Sequence, residues 1–312
     1  MAQSYLQLLS VRGVTGRFNK VFDKIPTIYQ NHCALYDADT EIMPHAIAGF
    51  VPRPREFTNG RMVQGIRDFS FNVTNKEYEL TIEIPRKWME DDQTGAINQR
   101  IDEIAETWQT FYDYQFAQLL INGATSTYNG WDGATFYNDS RTIGGSATID
   151  NKLTSAAATS TTPTTAEMQT AVRDIKKQLW KFQNDQGNPF NAAVMGMPKP
   201  IRFVLPADYE FPFKGAVQSA LTGGGDTNVY VNVAEGDVSP YLAPTAEATK
   251  MYANVVGGSR KPFIFQKRTD LEIKIDNREE EVAKTGVIAI YCRQRYVFAY
   301  GEPRMSIEYT WS

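Results

Sequence analysis

Residues 69–86 read FSFNVTNKEYELTIEIPR, and the reading of this stretch decides the fold. Phe69, Phe71 and Val73 alternate with polar residues up to Asn75, and Tyr78, Leu80, Ile82 and Ile84 alternate away from it. Alternation of period two on both sides of a polar break is the signature of an amphipathic β-hairpin. With Asn75 and Lys76 as a two-residue turn, Val73 faces Tyr78, Phe71 faces Leu80 and Phe69 faces Ile82. The large apolar side chains then share one face, while Thr74 with Glu77, Asn72 with Glu79 and Ser70 with Thr81 share the other. Lys76 is a poor second turn residue and Asp68 would oppose Glu83 with like charge, so a longer tip stays open. Leaving six or seven such side chains in water forfeits on the order of 10 kcal/mol, at about 1.5–3 kcal/mol each. That rivals the stability of a whole domain. A lone hairpin is marginal in water, so this one needs cover. Its own domain or a second subunit can supply it, and pattern alone favours the first.

Downstream, Ile97, Ile101, Ile104, Trp108 and Phe111, then Phe116, Leu119 and Leu120, recur at helical spacing and mark one buried stripe from Gly95 to Asn122. Asp92 or Thr94 offers an N-cap, and Asn122 with Gly123 a stop. A helix of about 28 residues is ~42 Å long at 1.5 Å per residue. That is about twice the usual length, which suits a scaffold strut. Beyond it, NGATSTYNGWDGATFYND is rich in turn residues, and TSAAATSTTPTT over residues 154–165 is low in complexity and marks a boundary. Met168, Val172, Ile175, Leu179 and Phe182 predict a second amphipathic helix over Thr165–Gln183, stopped near Gly187. Ile201–Leu205 reads as a buried strand, Asp208–Leu221 as an irregular helix interrupted by Pro212, and Val229, Val231 and Val233 as an alternating strand. From Pro262 onward PFIFQKR, LEIKI, GVIAIYCRQRYVFAY and MSIEYTWS are strand-like, being rich in β-branched and aromatic residues. The whole is an α+β chain without internal repeats.

Composition narrows the function. At 312 residues, with 42% hydrophobic and 22% charged residues, the chain is that of a folded, water-facing protein with core enough to need neither disulfides nor metal staples. The longest apolar run, Val287–Cys292, is far short of the roughly 20 residues of a membrane helix. MAQSYLQLLSVRG lacks the basic region and apolar core of a secretory signal, so a cytoplasmic chain is expected. Net charge is −4, which argues against a dedicated DNA-binding domain. The imbalance is local: residues 101–150 hold Arg141 alone against seven acids, and residues 251–312 hold ten bases against eight acids. The two regions could attract each other, though solvated faces of opposite sign are the commoner outcome.

Catalytic motifs are absent. Cys33 and Cys292 sit in no CxxC, so they read as small core fillers rather than a zinc site or a disulfide. His32 and His45 are the only histidines, too few for a multi-histidine metal site and a thin basis for a nucleophilic triad. Gly60–Gly65 is followed by Ile66 and Arg67 where a phosphate loop needs lysine and a hydroxyl, and Gly223–Gly225 lacks dinucleotide spacing. Asp37, Asp39 and Glu41 alternate like a calcium loop, but Ile42 stands where glycine belongs. Glu90, Asp91 and Asp92, like Glu279–Glu281, are adjacent acids that do not set the cross-cleft geometry of a glycosidase. No cofactor, metal or catalytic residue is expected.

The order of elements resembles the major capsid fold of tailed phages, of the HK97 type. The wording of NKEYELTIEIPRKWMEDDQTG and LLINGATSTYNGWDGATFYND is more specific and resembles the major head subunit family of Mu-like phages and prophages. The matching positions are Asn75, Lys76, Tyr78, Glu79, Thr81, Ile82, Ile84, Arg86, Asp91, Asp92, Gln93, Gly95, Leu120, Asn122, Gly123, Asp132 and Gly133. The match is strongest over residues 69–140 and weaker at PIRFVLPADYEFPFKGAVQSA and in the C-terminal strands.

The resemblance implies an N-terminal arm and lead-in over residues 1–60, and an extended hairpin over 61–86 lying on a neighbouring subunit through Phe69, Phe71, Val73, Tyr78, Leu80 and Ile82. It implies a peripheral domain over 87–154 whose spine helix buries Ile97, Ile101, Ile104, Trp108 and Phe111. An axial domain over 155–255 and C-terminal strands over 256–312 that complete the peripheral domain follow. The implied function is mechanical: hexamers and pentamers close into an icosahedral shell around double-stranded DNA, with no catalytic group. The expected place is the virion, after assembly in the host bacterial cytoplasm. Portal, scaffold or decoration proteins are possible partners, and a membrane is not. Neither a scaffolding domain ahead of the arm nor a crosslink is expected. Two other readings differ in class: an encapsulin-like compartment would enclose a protein cargo, and a carbohydrate-active hydrolase would set two of the clustered carboxylates across one cleft.

Overall fold

Asn75 is a divide between two sheets, not the tip of a hairpin. In the computed structural model, which describes residues 11–50, 67–90, 95–143, 148–184, 186–221, 225, 227–242, 246–276 and 278–312, helices α1 (Val11–Phe22) and α2 (Tyr29–His32) precede strands β1 (Cys33–Asp37), β2 (Ile42–Phe50), β3 (Arg67–Thr74) and β4 (Lys76–Pro85). Strand β3 pairs antiparallel with β2, setting Phe71 opposite His45 and Val73 opposite Met43. A short helix α3 (Arg86–Glu90), the spine helix α4 (Ala96–Asn122), β5 (Lys152–Ser155), α5 (Thr165–Lys181), α6 (Ala192–Met195), β6 (Ile201–Leu205), α7 (Glu210–Val217), β7 (Ala234–Val238), β8 (Lys250–Val255), β9 (Phe263–Asp276), α8 (Glu279–Thr285), β10 (Val287–Tyr300) and β11 (Ser306–Trp311) follow. Strand β4 pairs with β10, about 200 positions away, so that Leu80 faces Cys292 and Ile82 faces Ile290. The cross-strand pairs Val73–Tyr78, Phe71–Leu80 and Phe69–Ile82 therefore do not form.

The strands make a four-stranded sheet in the order β1-β9-β10-β4, a five-stranded sheet in the order β5-β11-β8-β6-β7, and the two-stranded ribbon β2-β3. The first sheet packs against the spine helix over an aromatic core that includes Trp108, Tyr112, Phe116, Phe263, Phe265 and Tyr296. Tyr29, Tyr112, Phe265, Tyr296 and Phe298 contact one another at centroid separations of 4.9–6.0 Å. Such offset and edge-on rings add packing energy beyond their buried area. The second sheet carries α5 and α7 over an aliphatic core of Met168, Val172, Ile175, Leu179, Ile201 and Ile307, among others.

Several expectations shift. The chain from Val11 to Asp37 is no extended arm: α1 packs against the spine helix, and β1 runs parallel to β9 in the first sheet. The spine helix begins with Gly95 at φ 75° and no side-chain cap, while the proposed caps Asp92 and Thr94 fall outside the described residues. Glycine is favoured there because side chains disfavour positive φ. Helix α5 opens on a capping box that reading the apolar spacing alone passes over: Thr164 Oγ1 accepts from Glu167 N, and Glu167 accepts from Thr164 N. Pro212 does not interrupt α7, since it stands in the first turn, where the backbone N–H has no intrahelical partner to lose. The strand read from Val229, Val231 and Val233 is a turn. Asn228 makes it so, donating through Nδ2 to Ala216 O and Ser219 O and accepting from Tyr230 N, and the strand starts only at Ala234. PFIFQKR and LEIKI are one continuous strand, β9. Finally, β11 lies in the second sheet between β5 and β8, so the C-terminal strands are split between both sheets.

Candidate assembly surface

The apolar face of β4 is used at home. Tyr78 stacks on Tyr296 at 4.5 Å and meets Phe111 of the spine helix edge-on at 5.6 Å. Leu80 and Ile82 pack against the same core, and Val73 is buried. The side chain of Phe69 lies outside the described residues. The expectation that Tyr78, Leu80 and Ile82 meet a neighbouring subunit is thus corrected, because β10 and the spine helix already cover them. On that helix Ile101, Ile104 and Trp108 are buried, with Ile97 and Phe111 at the core's edge.

The ribbon β2-β3 belongs to neither larger sheet. Its root is pinned by a closed polar cluster: Gln266 Nε2 donates to Asn75 Oδ1 at 2.9 Å and to Val73 O at 3.3 Å, and its Oε1 lies 2.7 Å from His45 Nε2. Because both amide hydrogens are spent on oxygens, Oε1 is the acceptor and His45 the donor. Asn75 completes the cluster by donating to Thr40 O and Glu41 O. All three side chains are buried, and they hold the base of the ribbon against β9. At this root Ile42 is half exposed and Phe71 half-buried. A groove of about 640 Å³ opens between β3, the C-terminal half of the spine helix and the turn Thr127–Trp131, with Tyr78, Tyr114 and Tyr128 on its walls.

The turn motif that follows the spine helix has a structural logic. A Cβ on Gly123 would come within 2.6 Å of the Tyr137 ring, so only glycine admits that ring beside the helix end. Gly123 O accepts from Tyr137 N, and Arg141 reaches back to Asp132 at 3.2 Å and to Ala134 O at 3.2 Å.

Asp113 acts at a distance: its carboxylate accepts from Ile28 N and Tyr29 N at 2.9–3.0 Å, capping the short α2 from the spine helix. On the side of the second sheet the exposed apolar side chains include Phe211 of α7, Leu221 and Val229, the loop of the last two being closed by the bridge Leu221–Thr227 and the bond from Asn228 N to Ala220 O. Phe211 and Val229 are 79% and 80% exposed, far beyond what a stable surface needs.

Reaction chemistry finds little support in this arrangement. Among the described residues no group of histidines, cysteines and carboxylates is placed to hold a metal. His32 lies against Asp237 at 3.0 Å like half of a triad, but its other nitrogen meets the amide of Asn254 and the ring is wholly buried. Burial would raise the Asp237 carboxyl, yet hydrogen bonds from Arg202 and His32 outweigh it and hold it below the usual range. Cys33 and Cys292 are buried thiols, the latter pushed by burial up to about 11. Among the described residues no helix is long and apolar enough to cross a membrane. Gly60–Gly65, Asp91 and Asp92 lie outside the described residues.

Comparison with known proteins agrees with the geometry. The family model described as Mu-like prophage major head subunit gpT matches residues 6–167. No curated protein matches the chain. Among solved structures, the procapsid of bacteriophage JBD30 is similar with a TM-score of 0.53 at 16% identity, covering 96% of this chain and 74% of that one. The capsid of cyanophage P-SCSP1u gives 0.58 at 11% identity, and the mature capsid of bacteriophage PhiM1 gives 0.59 at 9%, each covering 92% of this chain and 88% of the other. At such identities the likeness shows the fold, an α+β capsid fold of the HK97 type.

Proposed function

The chain belongs to the Mu-like prophage major head subunit family and is a phage major capsid protein, and from that premise we propose how the subunit makes its shell. The proposed assembly is of hexamers and pentamers closing around double-stranded DNA, formed in the host cytoplasm and carried in the virion, with portal, scaffold or decoration proteins as further components. The ribbon β2-β3, rather than a hairpin of β3 with β4, is the extended element that lies over the next subunit. The observation that carries this reading is the ribbon itself, a two-stranded sheet on its own. Two strands alone are marginal in water, so a ribbon that joins neither larger sheet gains stability from an outside surface to rest on.

The body built on the first sheet and spine helix serves as the peripheral part, and the second sheet with α5 and α7 as the axial part. Phe211, Leu221 and Val229 then meet their counterparts around the capsomer axis, where repetition of one contact about a rotation axis closes a ring. Encapsulin-like and hydrolytic readings are not favoured. The family is that of a phage head subunit, and the acids weighed for hydrolysis stand at the end of α3, at the start of α8 or outside the described residues.

The test is Ile42→Asp. Ile42 is half exposed on β2, so the variant subunit should stay soluble and folded by circular dichroism while light scattering and negative-stain imaging show no closed particles. Normal particle yield would remove the ribbon from the subunit contact.

A further inference from the structure

Between the two cores runs a line of buried polar side chains in which every hydrogen has one place to go. His32, at the end of α2, is wholly buried, its ring stacked on Phe116 of the spine helix at 5.5 Å between centroids. Its Nδ1 lies 2.9 Å from Asn254 Nδ2 and its Nε2 lies 3.0 Å from Asp237 Oδ2. Asn254 Oδ1 accepts from Ser306 Oγ at 2.7 Å, and Ser306 Oγ is 3.0 Å from Tyr137 OH. An amide NH2 only donates, so Nδ1 carries the lone pair and Nε2 the proton that goes to Asp237. The Ser306 hydrogen is spent on Asn254, leaving its oxygen to accept from Tyr137. Donation therefore runs from Tyr137 to Ser306 to Asn254 to His32 to Asp237, and the line closes only with an uncharged ring.

The line also crosses a boundary. His32 and Tyr137 belong to the elements around the spine helix, whereas Asp237, Asn254 and Ser306 stand on β7, β8 and β11 of the second sheet. The ionised groups nearby offer a second proton no welcome. Asp237 is the one carboxylate touching the ring, and Arg202 already holds it through Nε at 2.5 Å and Nη2 at 2.8 Å while also binding Glu235. Lys261, donating to Gln30 O, repels a charged ring, as Arg202 does. Asp113 of the spine helix is turned to the backbone of Ile28 and Tyr29, Glu308 of β11 stands beside Tyr137, and the adjacent Cys33 is kept a thiol by burial. A proton on Nδ1 would face the Asn254 amide hydrogens. Relief requires that amide to turn over, which reverses the Ser306 hydroxyl and leaves the Tyr137 hydrogen without its acceptor.

We propose that His32 is an acid-sensitive latch between the spine-helix body and the five-stranded sheet: uncharged it ties them together, and protonated it reverses the hydrogen-bond line and lets them part. The latch is a property of the subunit, whatever shell it builds. Burial lowers the proton affinity of His32 below the ordinary value of 6.5, outweighing the pull of Asp237. With the folded value below the unfolded one, the unfolded chain binds the extra proton first. Stability is therefore complete above about 6.5 and falls as the pH drops below it.

Two measurements on the full-length, unassembled subunit test this. In histidine-selective 15N spectra at neutral pH, with His32→Gln for assignment, the His32 ring should carry its proton on Nε2 alone. Over the pH unit below 6.5, the urea unfolding constant of the natural chain should rise by up to about fivefold relative to the Gln variant, which donates to Asp237 but gains no proton. Hydrogen exchange should quicken at α2, β7 and β8 over the same interval and not at β3 or β4. A ring protonated on Nδ1 at neutral pH, or unfolding profiles that run parallel, would overturn the latch. Should the Gln variant fail to fold, the natural chain's spectra and exchange decide alone: a ring that gains its proton with no local increase in exchange refutes the proposal.

Discussion

Strands β3 and β4 are adjacent in sequence and alike in pattern, yet they meet different fates. Both alternate apolar and polar residues, and a single residue, Asn75, separates them. Strand β4 is bound along its length to β10 and buries its apolar side under the spine helix. Among the described residues strand β3 pairs with β2 alone, and the two form a separate ribbon. Alternation tells which face of a strand is greasy and says nothing of what covers it. The physical difference is the partner: β4 joins a sheet with a core behind it, while β3 joins a strand that comes from the same excursion of the chain.

Substitutions on the two strands should separate folding from assembly. The largest effect belongs to Ile84→Asp on β4, which places a carboxylate at a site 5% exposed in the first core. A loss of about 3 kcal/mol or more, expected for an unpaired buried charge, should send the subunit to the insoluble fraction. A soluble variant with an unchanged urea midpoint would mean that β4 is not part of the core. Ile42→Asp on the ribbon should do the reverse, sparing the fold and stopping particles, so equal effects of the two variants would erase the contrast.

The hinge comes next in size. Gln266→Leu strands the buried polar groups of Asn75 and His45, each worth about 1–3 kcal/mol when orphaned. Faster hydrogen exchange over residues 42–46 and 70–74, with the spine helix unchanged, is the expected signature, and uniform loosening would deny Asn75 its role as a divide. The smallest effect falls on Glu77→Gln, which removes the 2.5 Å pair with Arg293 on the outer face of β4 and β10. Both side chains are about half exposed, so solvent screening limits the change to about 0–1 kcal/mol. A larger drop in melting temperature would mean that this face is shielded.

Elements held by local spacing were legible in the amino acids. The spine helix, β4, β6, β10 and β11 stand where their periodicity placed them, since each satisfies its own hydrogen bonds or carries its own apolar face. Partners were not legible. The β4–β10 pairing spans about 200 positions, and nothing in FSFNVT distinguishes a partner at residue 78 from one at residue 43. Strand β2 was missed because Pro44 and Gly49 break its alternation; a ribbon edge tolerates proline because the missing N–H faces no partner. The turn at Val229 deceived for the opposite reason, as three alternating valines imitate a strand while one buried side chain, Asn228, ties the backbone into a loop. The root cluster at Gln266 and the line through His32 join residues more than 190 positions apart, so their chemistry emerges only from the fold.

The position of β11 has a consequence in time. It lies inside the second sheet, with β5 on one side and β8 on the other, and so occupies an interior place that no neighbouring strand can fill. A ribosome that has delivered everything through β10 has still not supplied the piece that joins residues 152–155 to the rest of that sheet. A nascent chain therefore carries an unfinished edge in that sheet until residues 306–311 emerge. The order of synthesis thus makes the five-stranded sheet the last part of the subunit that can close.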